Sequence, residues 1–195
     1  MMPEKPKRII VTSLLEDEAK EAVETMRHEY PQAGKKFFVP WWGNIFVRHV
    51  LKDTPRDEIL QNVASREMLI DDLLDELSMP TLERSSIYQL LNKYKPDIVV
   101  DCINSATGIA YQDIFHTARE VRKALRSAKA GRESDLFDQT ERLLAALYIP
   151  QLIRHVQILY RTMQLVGTTT YVKIGTSGTG GMGLNIPYTH SEERP

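Results

Sequence analysis

Apolar positions along the chain follow two rhythms, short β-branched runs and longer stretches with a period near 3.6. Arg8-Ile-Ile-Val-Thr-Ser-Leu14 is the first short run and predicts a buried strand. It passes directly into Glu16 to Met26, a predicted helix whose first turn carries acids where the helix dipole is positive. Pro31 and Gly34 end that helix, Lys36-Phe-Phe-Val39 predicts a second strand, and Trp41-Trp-Gly-Asn44 predicts a turn. Over residues 55–77, Ile59, Val63, Met68, Leu69, Leu73, Leu74 and Leu77 recur at helical spacing, which predicts one helix. A shorter helix follows over Ser85 to Tyr94. Pro96-Asp-Ile-Val-Val-Asp-Cys-Ile103 is then the clearest strand of the chain, with Cys102 expected as a core thiol.

The next sixty residues predict three helices. Residues 110–129 are amphipathic and basic, residues 134–148 form a second helix, and Pro150 suits the first position of a third. In that third helix Leu152, Val156, Leu159, Met163 and Val166 form an expected buried stripe, closed by Gly167. Thr169 to Ile174 predicts a last strand, and a glycine-rich loop follows. Strands alternating with helices predict a parallel α/β sheet.

Composition narrows the function classes. The chain has 195 residues, 42% hydrophobic and 26% charged, the profile of one globular domain. A net charge of -1 gives no bulk reason to expect binding to nucleic acid or an anionic membrane. One cysteine excludes a disulfide framework and suits a reducing, cytoplasmic setting. No apolar run approaches the ~18–20 residues of a membrane span, and Met1 to Arg8 lacks the apolar core of a secretory signal. Five of the ten glycines fall between Gly175 and Gly183, and none precedes Gly34.

Several motifs spell chemistry they do not support. Gly178-Thr-Gly-Gly-Met-Gly183 reads G-x-G-x-x-G, but Leu-Asn-Ile-Pro187 follows where a phosphate-binding helix should start. A glycine-rich active-site loop after a strand is the better reading. Asp71, Asp72 and Asp75 match a D-D-x-x-D magnesium motif without the facing acidic helix such sites use, so a solvated helix face is expected. Arg119, Arg122, Lys123, Arg126, Lys129 and Arg132 give a basic helix face without interleaved aromatics, a solvated or partner-facing surface. The five histidines show no metal-binding spacing. Two strand ends remain. Asn104-Ser-Ala-Thr107 and Gly175-Thr-Ser-Gly178 place small hydrogen-bonding residues where open α/β sheets hold nucleotides.

At these strand ends the chain resembles the short-chain dehydrogenase/reductase superfamily, in its extended NAD-dependent epimerase/dehydratase branch. Lys95 to Thr107 resembles the fourth strand and its cofactor-lining end, and Tyr171-Val-Lys-Ile-Gly-Thr-Ser177 the fifth strand with its serine-rich tail. Ile186 to Pro195 resembles the substrate-side loop preceding the catalytic tyrosine, and Trp42-Gly-Asn44 the turn that contacts adenine. The resemblance implies a Rossmann-like doubly wound parallel sheet over residues 1–195, with a helical insertion at about 110–150 between the fourth and fifth strands. It implies Ser177, beside Thr176, as the catalytic hydroxyl, and Asn104, Ser105, Ala106 and Thr107 against the cofactor. Gly43 and Asn44 fall to adenine, and Thr12 and Ser13 to the position that selects NAD or NADP. Hydride transfer at a hydroxyl or carbonyl carbon of a small-molecule substrate is the implied reaction, and helices 110–166 are a candidate homo-oligomer surface.

Departures from the family sharpen the expectation. Its Gly-x-x-Gly-x-x-Gly loop follows its first strand, and no tyrosine here has a lysine four residues on. Residues 8–14 therefore align with the second strand, and the chain reads as an internal fragment, inactive alone. The alternative is a non-catalytic nucleotide-binding or scaffolding module that has lost both motifs. In the family's strand order the first strand is central, so its absence leaves residues 8–14 and 97–103 with open edges, or makes them pair directly. Each unpaired buried backbone group costs about 1–3 kcal/mol, against a total stability of about 5–15 kcal/mol.

Overall fold

The computed structural model describes residues 6–103, 114–128 and 134–174. The described chain is mixed α/β: strands β1 (Ile9–Ser13), β2 (Phe38–Trp42), β3 (Ile98–Asp101) and β4 (Thr170–Lys173), with eight helices. These are α1 (Glu16–Glu29), α2 (Arg56–Gln61), α3 (Val63–Leu74), α4 (Met79–Arg84), α5 (Ser86–Tyr94), α6 (Ile114–Ala128), α7 (Ser134–Ala145) and α8 (Tyr148–Val166). None of the helices is long and apolar enough to cross a membrane among the described residues.

The strands form two separate parallel ladders. Ile9 to Ser13 run opposite Phe38 to Trp42, and Ile98 to Asp101 opposite Thr170 to Lys173. No ladder joins β1 to β3, so the expected continuous sheet is not formed among these residues, and neither is the direct pairing that would have closed it. Both ladders nevertheless rest on one floor. Trp41, Leu82, Ile87, Leu90, Leu91, Ile158 and Leu159 make a single buried cluster across α5 and α8, and Ile10 of β1 and Val99 of β3 both pack against it. Left-handed residues deliver the chain from floor to sheet: Lys95 (φ 44°) ends α5 before β3, and Gly167 (φ 82°) ends α8 before β4. Thr168 and Thr169 hydroxyls then donate to the Pro96 and Asp97 carbonyls, fixing where β4 starts against β3.

The outer faces of the ladders differ. α1, with Glu16, Asp17 and Glu18 in its first turn and Arg27 and His28 in its last, buries Ala19 and Val23 and packs on β2. Strand alternation puts Val100, with Ile98, Val172 and Ile174, on the face of β3–β4 opposite Val99, and the last three are exposed large hydrophobics. That face is bare among the described residues.

Several expectations change. The second strand runs through Pro40, Trp41 and Trp42, and the turn begins only at Gly43. The helix expected over 55–77 is broken, because Asn62 accepts from the Ser65 N–H and starts α3 afresh, leaving Val63 and Leu74 exposed. Asp72 is not on a solvated face: it accepts from Arg48 and Arg84, both at 2.6 Å. Cys102 lies one residue beyond β3 and is exposed, not a core thiol. Leu152 and Val156 are exposed as well; the buried positions of α8 are His155, Ile158, Leu159 and Thr162.

A second cluster, Val47, Leu51, Ile59, Leu69 and Ala145, ties α2 and α3 to α7. Beside it Arg66, 1% exposed, donates to Glu141 (2.7 Å) and to the Leu60 carbonyl (2.7 Å) and pairs with Asp138 (2.7 Å). Replacing Arg66 with Ala removes all three contacts and opens a cavity. Because both acids remain partly exposed, we expect a loss of about 2–3 kcal/mol in urea unfolding, less than for a fully buried pair. Arg66→Lys, which has no fork to reach three acceptors, should lose most of the same stability.

Candidate functional site

The carboxyl ends of the strands carry the polar groups. At the end of β1, exposed Thr12 precedes Ser13, whose hydroxyl donates to the Glu18 carboxylate in the first turn of α1. The Gly43 N–H donates to the Ser13 and Leu14 carbonyls (both 3.1 Å), which locks the end of β2 to the end of β1. Asn44 closes the turn with its Oδ1 accepting from the Phe46 N–H (2.9 Å), and its own N–H donates to the Lys52 carbonyl (2.7 Å). Thr12, Ser13, Gly43 and Asn44 are thus gathered at one sheet end. Gly43 needs to be glycine twice over, with φ +117° and Lys52 side-chain carbons 2.9 Å from where a Cβ would sit. Lys52 Nζ also lies 5.7 and 5.3 Å from the ring centres of Trp41 and Trp42, and Lys20 Nζ lies 5.7 Å from Trp42.

A second polar group, not foreseen from sequence, sits at the carboxyl ends of β3 and β4. Asp101 accepts from the Tyr171 hydroxyl (2.7 Å), Lys173 Nζ (2.9 Å) and the Ile103 N–H (2.9 Å), while Lys173 also donates to the Ile103 carbonyl. Burial pushes the Asp101 carboxyl up, but its donors outweigh that and hold it below the usual range. The Tyr171 hydroxyl is pushed up by burial and by its bond to that carboxylate. His155 of α8 is 7% exposed, and its ring meets Phe46 edge to face at 4.5 Å between centroids. That contact joins the turn after β2 to the helix beside β3–β4 and so links the two strand ends. His155 is lowered to about 4, chiefly by burial; the Asp101 charge opposes the shift and the Lys173 charge adds to it. Next to this contact lies a cavity of about 40 Å³, lined in part by Ile45, Arg48, Asp72 and Arg154. It has room for roughly two or three waters.

The remaining sequence candidates, Asn104, Ser105, Ala106, Thr107, Thr176 and Ser177, lie outside the described residues, as do the glycine loop of 175–183 and residues 186–195. The Asp101–Lys173 pair carried one legible signal, an acid inside an apolar strand. Its partners depend on the register of β3 against β4, which a single sequence does not print. Comparisons with protein-family models, with curated proteins and with solved structures found no match.

His155 provides a pH test. Its pKa is lower in the folded chain than in the unfolded one, so its contribution to stability is complete above about pH 6.5 and is lost as pH falls toward 4. Unfolding by urea should therefore show stability falling over that window by up to about 3 kcal/mol more in the wild type than in His155→Gln. Equal pH slopes for the two proteins would show that His155 does not stay neutral in the folded state.

Proposed function

We propose that this chain forms part of an NAD(P)-dependent oxidoreductase or epimerase resembling the short-chain dehydrogenase/reductase superfamily, acting on a hydroxyl or carbonyl carbon of a small-molecule substrate. One observation supports this reading above the rest. Two parallel strand pairs share one helical floor, while among the described residues the edges of β1 and β3 stay unpaired. In a doubly wound sheet of order 3-2-1-4-5, one strand belongs between the pairs, and dinucleotides bind at its carboxyl end. Such a strand would end between Ser13 and Asp101. On this reading the Rossmann-like sheet would form only with that strand in place.

On this reading Thr12 and Ser13 face the adenosine ribose, Gly43 and Asn44 lie against adenine, and Asn104 to Thr107 line the cofactor. The Glu18 carboxylate on Ser13 would favour a ribose 2′-hydroxyl, whereas Lys20 and Lys52 beside Trp42 would favour a 2′-phosphate, so NAD and NADP both remain within the proposal. Bound there, the nicotinamide supplies or accepts hydride. Ser177, with Thr176 beside it, would hydrogen-bond the substrate oxygen where negative charge develops. The proton needs a tyrosine with its lysine, a pairing no tyrosine of this chain offers at four-residue spacing, so the chain alone should show negligible turnover.

Titrating the ¹⁵N-labelled chain with millimolar NADH and NADPH tests the assignment. Amide shifts concentrated at residues 12–13, 43–44 and 101–107 are expected, without oxidation of the cofactor by candidate carbonyl substrates. Shifts absent from those segments would sink the cofactor site, and dehydrogenase turnover by residues 1–195 alone would sink the fragment reading.

A further inference from the structure

We propose that the cavity beside the Phe46–His155 contact binds a small planar oxyanion, a free carboxylate or bicarbonate. The site is independent of the nucleotide reading. Its walls come from distant parts of the chain, with Ile45 and Arg48 after β2, Asp72 on α3, Ser85 capping α5 and Arg154 on α8. Three guanidinium groups gather here around one carboxylate. Arg48 Nε donates to Asp72 Oδ2 and Arg84 Nε to Asp72 Oδ1, both at 2.6 Å, so each oxygen of Asp72 already has a cationic donor. Asp71 comes only within 4.0 Å of Arg48, and its side chain is 55% exposed. Arg154 has no carboxylate partner among the described residues. Its Nε and Nη2 donate to the Leu73 carbonyl (3.4 and 3.3 Å), Nη2 also donates to the Asp75 carbonyl, and Nη1 is buried with no hydrogen-bond partner.

Charge, geometry and size each narrow the ligand. Positive charge exceeds negative in a place partly withdrawn from water, which favours an anion over the water that would otherwise fill the space. Arg48 engages Asp72 through Nε alone, so its terminal nitrogens make no hydrogen bond among the described residues. A guanidinium fork matches a flat acceptor with two oxygens, the shape of a carboxylate or bicarbonate. Phe46, Leu73 and Ile158 complete the lining and limit screening by bulk water. The volume of about 40 Å³ takes roughly two or three waters, the bulk of formate or bicarbonate, and tetrahedral sulfate or phosphate is too large for it. For so small a ligand the best attainable affinity per atom sets a dissociation constant of about 1 mM. Seated between Arg48 and Arg154, the anion gives Arg154 the negative partner it lacks and ties the turn after β2 to α8.

Titration of the full ¹⁵N-labelled chain with sodium formate, read at the side-chain Nε–H signals of Arg48 and Arg154, tests the site. Sodium gluconate at equal ionic strength serves as a carboxylate too large to enter. Formate and bicarbonate should shift both signals saturably, with half-effect at about 1 mM or a few times that, and gluconate should give no saturable shift. Arg154→Gln should weaken the formate response at Arg48 by about tenfold or more. Ile45→Phe, which fills the cavity without changing its charge, should weaken the response at both arginines as much, and it decides the matter if Arg154→Gln unfolds by circular dichroism. Absence of a saturable shift at about 100 mM formate, equal shifts with gluconate, or a formate response that survives Ile45→Phe would overturn the proposal.

Discussion

Two strand pairs that no ladder joins among the described residues depend on a single apolar floor. Burial of Trp41, Leu90, Leu91, Ile158 and Leu159 between α5 and α8 gives Ile10 and Val99 a common surface. Each side chain of this size contributes about 1.5–3 kcal/mol when removed from water. A parallel pair cannot close by a hairpin and needs helical crossovers to return the chain. Here α1 is the crossover between β1 and β2, and the crossover between β3 and β4 ends in α8, one side of the floor. The turns at Lys95 and Gly167 follow from that arrangement, since they aim β3 and β4 along the same face.

A set of arginines organises what lies beside the floor. Arg48 and Arg84 converge on Asp72, Arg66 reaches across to Glu141 and Asp138, and Arg154 donates to the Leu73 and Asp75 carbonyls at the end of α3. These contacts hold short helices whose apolar faces are too small to hold themselves. They also matter to the site. Arg48 is anchored two residues beyond Phe46, so the ion pair with Asp72 helps keep that ring against His155. The link between the two strand ends is therefore mechanical as much as apolar.

The sequence pattern located all four strands because β-branched runs between breakers survive without knowledge of partners. It ended the second strand at Val39 and placed Trp41 and Trp42 in the turn, whereas the strand runs on through Pro40 to Trp42. Ladder bonds from Ile9 and Gly43 set the alternation so that the missing N–H of Pro40 points to the outer edge of β2, where no bond is lost. Periodicity also ran through Asn62, although the asparagine is itself a cap signal that would have placed the break. On α8 the expected stripe holds in its second half, where Leu159, Met163 and Val166 meet the floor, and fails in its first, where Leu152 and Val156 are exposed. Of the candidate site, the residues at the ends of β1 and β2 were legible from their place after strands. The Asp101, Tyr171, Lys173 and His155 group was not, since it depends on cross-strand register and on the packing of α8.

Among the described residues the second edges of β1 and β3 carry no ladder partner, and amide hydrogen exchange reads them residue by residue. Alternation along a parallel strand directs the N–H groups of Val11 and Ser13 to β2 and those of Val99 and Asp101 to β4, leaving those of Ile10, Thr12, Ile98 and Val100 toward the opposite edges. In the isolated chain the first four amides should be protected and the last four should exchange with little protection. Protection of Ile10, Thr12, Ile98 and Val100 equal to that of their neighbours would mean that β1 and β3 already pair in one sheet, and no strand would remain to be added between them.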